Sequence, residues 1–446
     1  MKYIIRIGKI TTFTVLVSML GFIFLEVAFR ALLGIGWVKT VTETYSGDPY
    51  GFYFWSREGG HPRGVNNRFT YADHDYDVEN VVDNTVVVIG DSFVEALQVD
   101  IDKKMGPLLQ SLMNDQEETQ HIVMSFGRSG QSPAHYLEQY KGLNDMFLPK
   151  ATFVYIFMGN DFRNLAPQIQ QSMSGQAADK YITYYLDPVS KEVKLDPLSI
   201  QLVKDMRSGV VNNFRIRASY QLNSKQKINT FFLNNFLIYS EVPYRLSLLK
   251  KNLDILPVTI SNEENRHLKV IKKDDCDSYT IFLRSHSTCW LESKAVMNYI
   301  MGEFRKNQEA SGTQLYFIGI PANETYWADK DIDRIVTSHK ATIPLKSFDQ
   351  YLAKNYSTTI ADVDLKLPNK MLMDIMKEQG LYYVDMHDRF YKAIVEGKQQ
   401  VYCQWVIGHL CEEGHRIVAE EMMNILNVAM DMENQQVTGE MYSPLR

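Results

Sequence analysis

Thr85-Val-Val-Val-Ile-Gly90-Asp91-Ser92 decides the fold: five β-branched residues, four of them apolar, run directly into a Gly-Asp-Ser turn. Such a run suits a strand covered on both faces, as in a parallel sheet. Similar runs follow at Ile122-Val-Met124, Thr152-Phe-Val-Tyr-Ile-Phe157, Leu315-Tyr-Phe-Ile-Gly-Ile320 and Tyr382-Tyr-Val384. Helical stretches lie between and after them. Ser293 to Ala310 is apolar at Val296, Tyr299, Ile300 and Phe304 and is followed by Gly312. Pro368 to Gln379 is closed by Gly380, and Glu412 to Met430 puts Val418, Met422, Ile425, Leu426 and Ala429 on one face. Strands alternating with helices imply βαβ units, hence a three-layer α/β domain with a parallel sheet and right-handed crossovers.

Working outward, the 446 residues divide as follows. Residues 1–37 form a cytoplasmic tip and apolar helix. Residues 38–84, rich in Gly, Asn, Asp and aromatics without periodicity, form an irregular lead-in that carries the domain away from a membrane. The α/β domain occupies 85–164 and 291–432. Between them, 165–290 is too long for a crossover and reads as an inserted cap over the strand C-terminal ends, where open α/β sheets bind ligands. Residues 433–446 are a tail. In the lead-in, Asp73-x-Asp75-x-Asp77 resembles a calcium loop only superficially. Val78 and Asn84 stand where such a loop needs Gly and Glu, so an acidic turn is expected.

The net charge is −6. Lys2, Arg6, Lys9, Arg30 and Lys39 against Glu26 make residues 1–39 net +4, leaving −10 for the rest. An acidic body without a basic stripe excludes nucleic acid as the expected partner. Ile10 to Leu25 carries no charge, and including Val27 to Leu33 lengthens the apolar run enough to span a bilayer as a single-pass signal-anchor. The Glu26–Arg30 pair would lie at the outer interface and the body outside the cytoplasm. A buried core helix and a removed signal peptide are the competing readings. Outside the cytoplasm the four Cys would oxidise, with Cys276–Cys289 and Cys403–Cys411 the preferred pairs among three connectivities; four free buried thiols are the alternative.

Four blocks fall at strand ends. They are Gly90-Asp91-Ser92, the turn Ser125-Phe-Gly127-Arg-Ser-Gly130, Met158-Gly159-Asn160-Asp161, and Gly408-His409 just before the last helix. Singly each is a turn or a loop histidine. In this order on this framework the chain resembles the SGNH, or GDSL-type, hydrolase family, over roughly residues 85–165 and 313–430. The resemblance implies a flavodoxin-like α/β/α sandwich acting as a serine esterase or O-acyltransferase on acyl groups, often acetyl, of cell-envelope carbohydrate, without a cofactor. The expected partners are that acylated carbohydrate, a membrane and envelope-assembly proteins.

In the mechanism so implied, Ser92 attacks the acyl carbonyl and His409 takes and returns its proton. The backbone N–H groups of Ser92 and Gly130 and the Asn160 amide form the oxyanion hole, supported by Gly90, Asp91, Gly159 and Asp161. Two elements depart from the family: Ser125 stands where Asn often precedes the first Gly of the second block, a mild change. Val406 and Ile407 stand where an Asp usually precedes the His. Three arrangements remain open: a backbone carbonyl of 405–407 orients His409, a carboxylate among Asp385, Asp388, Glu412 and Glu413 does so, or the site is degenerate and the protein binds or assembles surface glycan without cleaving it. Cys411, two residues after His409, would clamp the histidine loop if bridged to Cys403. His415 and His387 are expected in structural roles, and no cluster has metal-ligand spacing.

Overall fold

The computed structural model describes residues 2–34, 44–45, 49–55, 58, 63–76, 84–116, 120–165, 182–197, 199–217, 224, 227–228, 280–284, 288–327, 329–332, 349–350, 352–353, 358–397, 399–404 and 408–438. Its strands are β1 (Thr44–Tyr45), β2 (Phe52–Phe54), β3 (Arg63–Val65), β4 (Thr85–Gly90), β5 (Ile122–Gly127), β6 (Ala151–Phe157), β7 (Tyr184–Leu186), β8 (Val193–Leu195), β9 (Gln314–Ile320) and β10 (Tyr382–Asp385). The helices used below are α1 (Lys2–Gly34), α2 (Ser92–Glu95), α3 (Met105–Gln116), α4 (Pro133–Phe147), α5 (Asp161–Asn164), α6 (Ser199–Arg217), α7 (Thr288–Ser311), α8 (Leu367–Gln379), α9 (His387–Val395) and α10 (Glu412–Thr438).

Five strands form one parallel sheet in the order β10-β9-β6-β4-β5. Counted along the sheet's own strands this is 2-1-3-4-5, the flavodoxin-like order, whose switch point lies between β4 and β6. β4 is buried along its whole length, because its β-branched side chains are covered on both sides. On one face α4, α7 and α8 pack together, with Phe304 of α7 edge-on to Phe317 of β9 at 5.2 Å. On the other α3 packs with α10, and the Tyr155 hydroxyl of β6 meets Met422 Sδ at 2.8 Å. Helices cover both faces of the sheet, and open α/β sheets bind ligands at the strand C-terminal ends.

The lead-in is docked against the α/β domain. β1, β2 and β3 form a small antiparallel sheet, and the chain after it docks on the edge strand β5. The Ser125 N–H donates to Asp73 Oδ2 at 3.0 Å, and the Tyr76 hydroxyl lies 2.8 Å from that carboxylate and 3.0 Å from the Ser125 carbonyl oxygen. Side chains thus satisfy an edge that would otherwise be open to pairing. Buried Lys104 completes the dock, its Nζ donating to Ala72 O at 2.7 Å and Glu95 O at 2.8 Å; burial pushes its pKa down to about 8. The acidic turn is spent locally: Asp75 accepts from the Arg68 N–H and the Tyr50 hydroxyl, both at 2.7 Å. Asp77 lies outside the described residues.

Lys2–Gly34 is one continuous helix, yet among the described residues no helix is long and apolar enough to cross a membrane. The uncharged run spans only about 24 Å at the helical rise, short of a hydrocarbon core of about 30 Å, and Glu26 and Arg30 interrupt its continuation. Among the described residues of 165–290, the β7–β8 hairpin and α6 lie against the helices α7 and α4. The β7–β8 hairpin sits beside α7, with Tyr184 and Tyr299 rings 5.6 Å apart, and α6 lies on α4 through an Arg207–Glu138 pair at 2.6 Å. The remainder of that segment, with Cys276, lies outside the described residues; Cys289 is buried at the start of α7.

Candidate active site

Ser92 is the first residue of α2, set at the C-terminal end of β4 by a tight turn. Asp91 caps that turn, accepting the Phe93 N–H on Oδ1 at 2.9 Å. The turn needs room on both sides. A Cβ on Gly127 would stand 2.1 Å from the Glu95 nitrogen, so the end of β5 can lie against α2 only as glycine.

The Ser92 Oγ is 2.8 Å from His409 Nε2. On the far side of the ring, His409 Nδ1 is 2.8 Å from Glu58 Oε1, and the His409 backbone N–H donates to Glu58 Oε2 at 2.9 Å. One carboxylate therefore fixes both the ring and the backbone of the histidine. Nucleophile, base and orienting acid form a continuous chain, the arrangement that activates a serine hydroxyl. Glu58 lies in the lead-in, and none of the expected substitutes for the missing Asp takes its place. Asp385 accepts from the Asn369 amide and the His387 N–H, and Asp388 pairs with His387. Glu412 is held by Lys103 and Glu413 by Arg416. Residues 405–407 lie outside the described residues. The sequence carries no local sign of Glu58, which sits in an aperiodic stretch 351 positions from its partner.

Burial is the largest single influence on His409 and lowers its pKa, but the Glu58 hydrogen bond and the charges of Glu58, Asp91 and Glu95 together raise it above the ordinary 6.5. Phe93 covers the ring at 4.9 Å and itself lies 4.0 Å from Phe157, so apolar surface shields the Ser92–His409 contact.

Asn160 follows β6 across the switch point, its Nδ2 donating to Asp91 Oδ2 at 3.1 Å. That bond fixes the amide plane and leaves its second N–H for another acceptor. Burial raises the Asp91 pKa, opposed by the Phe93 and Asn160 bonds. Asp161 is fully buried, accepting the Phe157 N–H at 2.7 Å and the Tyr136 hydroxyl at 3.1 Å; burial first, then the Asp91 charge, push its pKa well up. It braces the β6 turn behind Gly159 and Asn160. The loop bearing Gly130, at φ +80°, is held by Glu95, whose Oε2 accepts the Ser129 N–H at 2.9 Å and also the Ser129 hydroxyl. Among the described residues no acceptor takes the Ser92 or Gly130 N–H.

The histidine loop is closed by a disulfide between Cys403 and Cys411, with Cα atoms 4.6 Å apart. Its base is zipped by the Tyr402–Leu410 bridge and by Cys403 N–H to His409 O at 2.8 Å. Within it Gly408 adopts φ +152°, and a Cβ there would come within 3.4 Å of Glu58 Oε2. Removing the bridge in Cys403→Ser, Cys411→Ser should lower stability by about 2.5 kcal/mol from loop entropy. Turnover should also fall as His409 loses its register on Glu58. Denaturant unfolding and esterase assays check both, and a double variant as active as wild type sinks the clamp role.

His415 is fully buried with neither ring nitrogen bonded, and burial pushes its pKa down to about 3, so it packs as a neutral ring. His387 opens α9, stacked on Tyr326 at 5.1 Å. Both stand apart from the Ser92–His409–Glu58 chain.

No family model matches the chain, and no curated protein matches it in sequence. Among solved structures, it is similar to LAE5, an alpha/beta hydrolase enzyme from the metagenome of Lake Arreo, Spain. The identity is 10%, the TM-score 0.32, and the match covers 81% of this chain and 98% of that one. It is also similar to TesA at 22% identity and TM-score 0.17, over 34% of this chain and 93% of the other.

Proposed function

We propose that this chain is an SGNH-type serine ester hydrolase or O-acyltransferase working through a Ser92 acyl-enzyme. The observation that carries this reading is the hydrogen-bonded chain Ser92–His409–Glu58 at the switch point of a flavodoxin-like sheet. Ser92 Oγ forms a bond to the acyl carbon while its proton passes to His409 Nε2. The resulting imidazolium is held by Glu58. The tetrahedral oxyanion takes the free N–H groups of Ser92 and Gly130 and the second Asn160 N–H. As the C–O bond to the alcohol breaks, His409 returns the proton to the leaving oxygen. Water then releases the acid, or a second alcohol takes the acyl group.

The acyl group we propose is small, acetyl in the first instance, carried on cell-envelope carbohydrate. The Cys403–Cys411 bridge supports a body outside the reducing cytoplasm. The alternative, a non-catalytic glycan-binding or assembly protein, drew on the absent acid; Glu58 beside His409 Nδ1 speaks for the catalytic reading.

The test is covalent labelling. A fluorophosphonate should modify the protein once, on the peptide bearing Ser92, and p-nitrophenyl acetate should compete. Absence of label on wild type, or equal label on Ser92→Ala, overturns the reading.

A further inference from the structure

Lys104 lies between a short 3₁₀ turn (Ile101–Lys103) and α3, with only 2% of its surface exposed. Its Nζ donates to Ala72 O at 2.7 Å, to Glu95 O at 2.8 Å and to the Tyr53 hydroxyl at 3.3 Å, and the Tyr53 ring is centred 5.2 Å away. All three acceptors are uncharged. Among the described residues no carboxylate bonds to this ammonium; Asp73, Glu95 and Asp100 act on it through charge alone. Taking an ammonium out of water is costly, and a methionine would fill the same space without that cost. Packing alone does not account for a lysine here.

What the bonds join does account for it. Tyr53 in β2 and Ala72 belong to the lead-in that supplies Glu58, while Glu95 ends α2, whose first residue is Ser92. Around the ammonium, Tyr53, Ala72 and Leu97 form a small apolar cluster separate from the main core, so few apolar contacts hold this part of the joint. The lead-in is also strained. Tyr50, Glu58 and Thr70 adopt φ of +54°, +64° and +73°, left-handed backbone that persists in non-glycine residues only where the surroundings impose it. Thr70 is held by Arg128, whose Nη2 donates to its Oγ1 at 3.0 Å. Glu58 meets His409 through both carboxylate oxygens, and its own position depends on how the lead-in is docked.

From this we infer that Lys104 is a positioning residue of the site: its ammonium registers the segment bearing Glu58 against the helix bearing Ser92, so that acid, base and nucleophile meet. The inference rests on the proposed esterase reading and adds a residue that touches neither substrate nor the reacting atoms. Without the three bonds Glu58 drifts from His409 Nδ1, while Ser92 stays in a turn that Asp91 caps independently.

Lys104→Met keeps the reach of the side chain and removes the three donors. On p-nitrophenyl acetate, well below the unfolding temperature, kcat should fall by about 10- to 100-fold, the order expected for a displaced catalytic group, with KM little changed. The acidic limb of kcat/KM separates positioning from a plain charge effect. Glu58, Asp91, Glu95 and the neutral ring of His415 face His409. Deleting a nearby positive charge by itself raises the His409 pKa and moves the limb to higher pH. Losing the Glu58 contact lowers that pKa and moves the limb to lower pH, which is the expected result. Because the effect passes through Glu58, adding Lys104→Met to Glu58→Gln should cost less than about threefold more. Tyr53→Phe, which keeps the ring and drops one acceptor, should lower kcat by about threefold and shift the limb the same way. An unchanged kcat in Lys104→Met, a limb that stays or moves up, or full additivity with Glu58→Gln overturns the inference; should Lys104→Met not fold, an unmoved kcat and limb in Tyr53→Phe overturn it. Absence of fluorophosphonate label on wild type defeats the esterase reading, whereas a labelled wild type with an unaffected Lys104→Met defeats the positioning role alone.

Discussion

Glu58→Gln should lower turnover of p-nitrophenyl acetate by about 10⁴, the cost of losing the acid from a Ser-His-acid triad. The size of the side chain is kept, so the lead-in should remain docked through Asp73, Tyr76 and Lys104. What changes is the proton inventory. A carboxylate accepts from both Nδ1 and the backbone N–H of His409. An amide offers one oxygen for these two donors, and its NH₂ facing Nδ1 would favour the tautomer with the proton on Nε2, which cannot receive the Ser92 proton.

The same variant should move the pH profile. His409 acts as base only when neutral, so activity is lost as pH falls through its pKa. In wild type that limb should lie above pH 6.5, because Glu58, Asp91 and Glu95 together outweigh burial. Without the Glu58 charge burial gains ground and the limb should move to lower pH. Profiles of kcat/KM between pH 5 and 9 check this. Turnover within tenfold of wild type together with an unmoved limb would exclude Glu58 from the triad.

Asn160→Ala should cost about 10²–10³ in kcat, the effect of deleting an oxyanion donor, with KM little changed. The loss has two parts, and they can be separated. The oxyanion loses a donor, and buried Asp91 loses the amide on its Oδ2, which should raise its pKa further and cost about 1–3 kcal/mol of stability. Thermal unfolding reads the second part. Rate constants taken well below the melting temperature read the first. A variant destabilised but fully active would make Asn160 only a prop for the Asp91 turn.

The alternation of apolar runs and helices made the α/β sandwich legible, because strands buried on two faces must be continuously apolar, as β4 is. The Gly-Asp-Ser turn, Asn160 and His409 were legible for a related reason. Each lies within a few residues of the strand end or helix start that positions it. The N-terminal helix was legible as a helix; among the described residues no helix is long and apolar enough to cross a membrane. The docking of α6 and the β7–β8 hairpin on the flank depends on pairs such as Arg207–Glu138, whose partners are remote in sequence and carry no local pattern.

By itself, then, the chain's order of residues determined the parallel sheet, put Ser92 and Asn160 at strand ends and His409 before the last helix, and left Cys403–Cys411 as one pairing among three connectivities. Tertiary structure alone decided which carboxylate stands beside His409 Nδ1. Glu58 has no periodicity around it, and its meaning arises only when the lead-in folds onto the edge of β5 and Gly408 leaves space for a carboxylate beside His409. A contact across 351 positions is specified by packing, and packing is a property of the assembled layers.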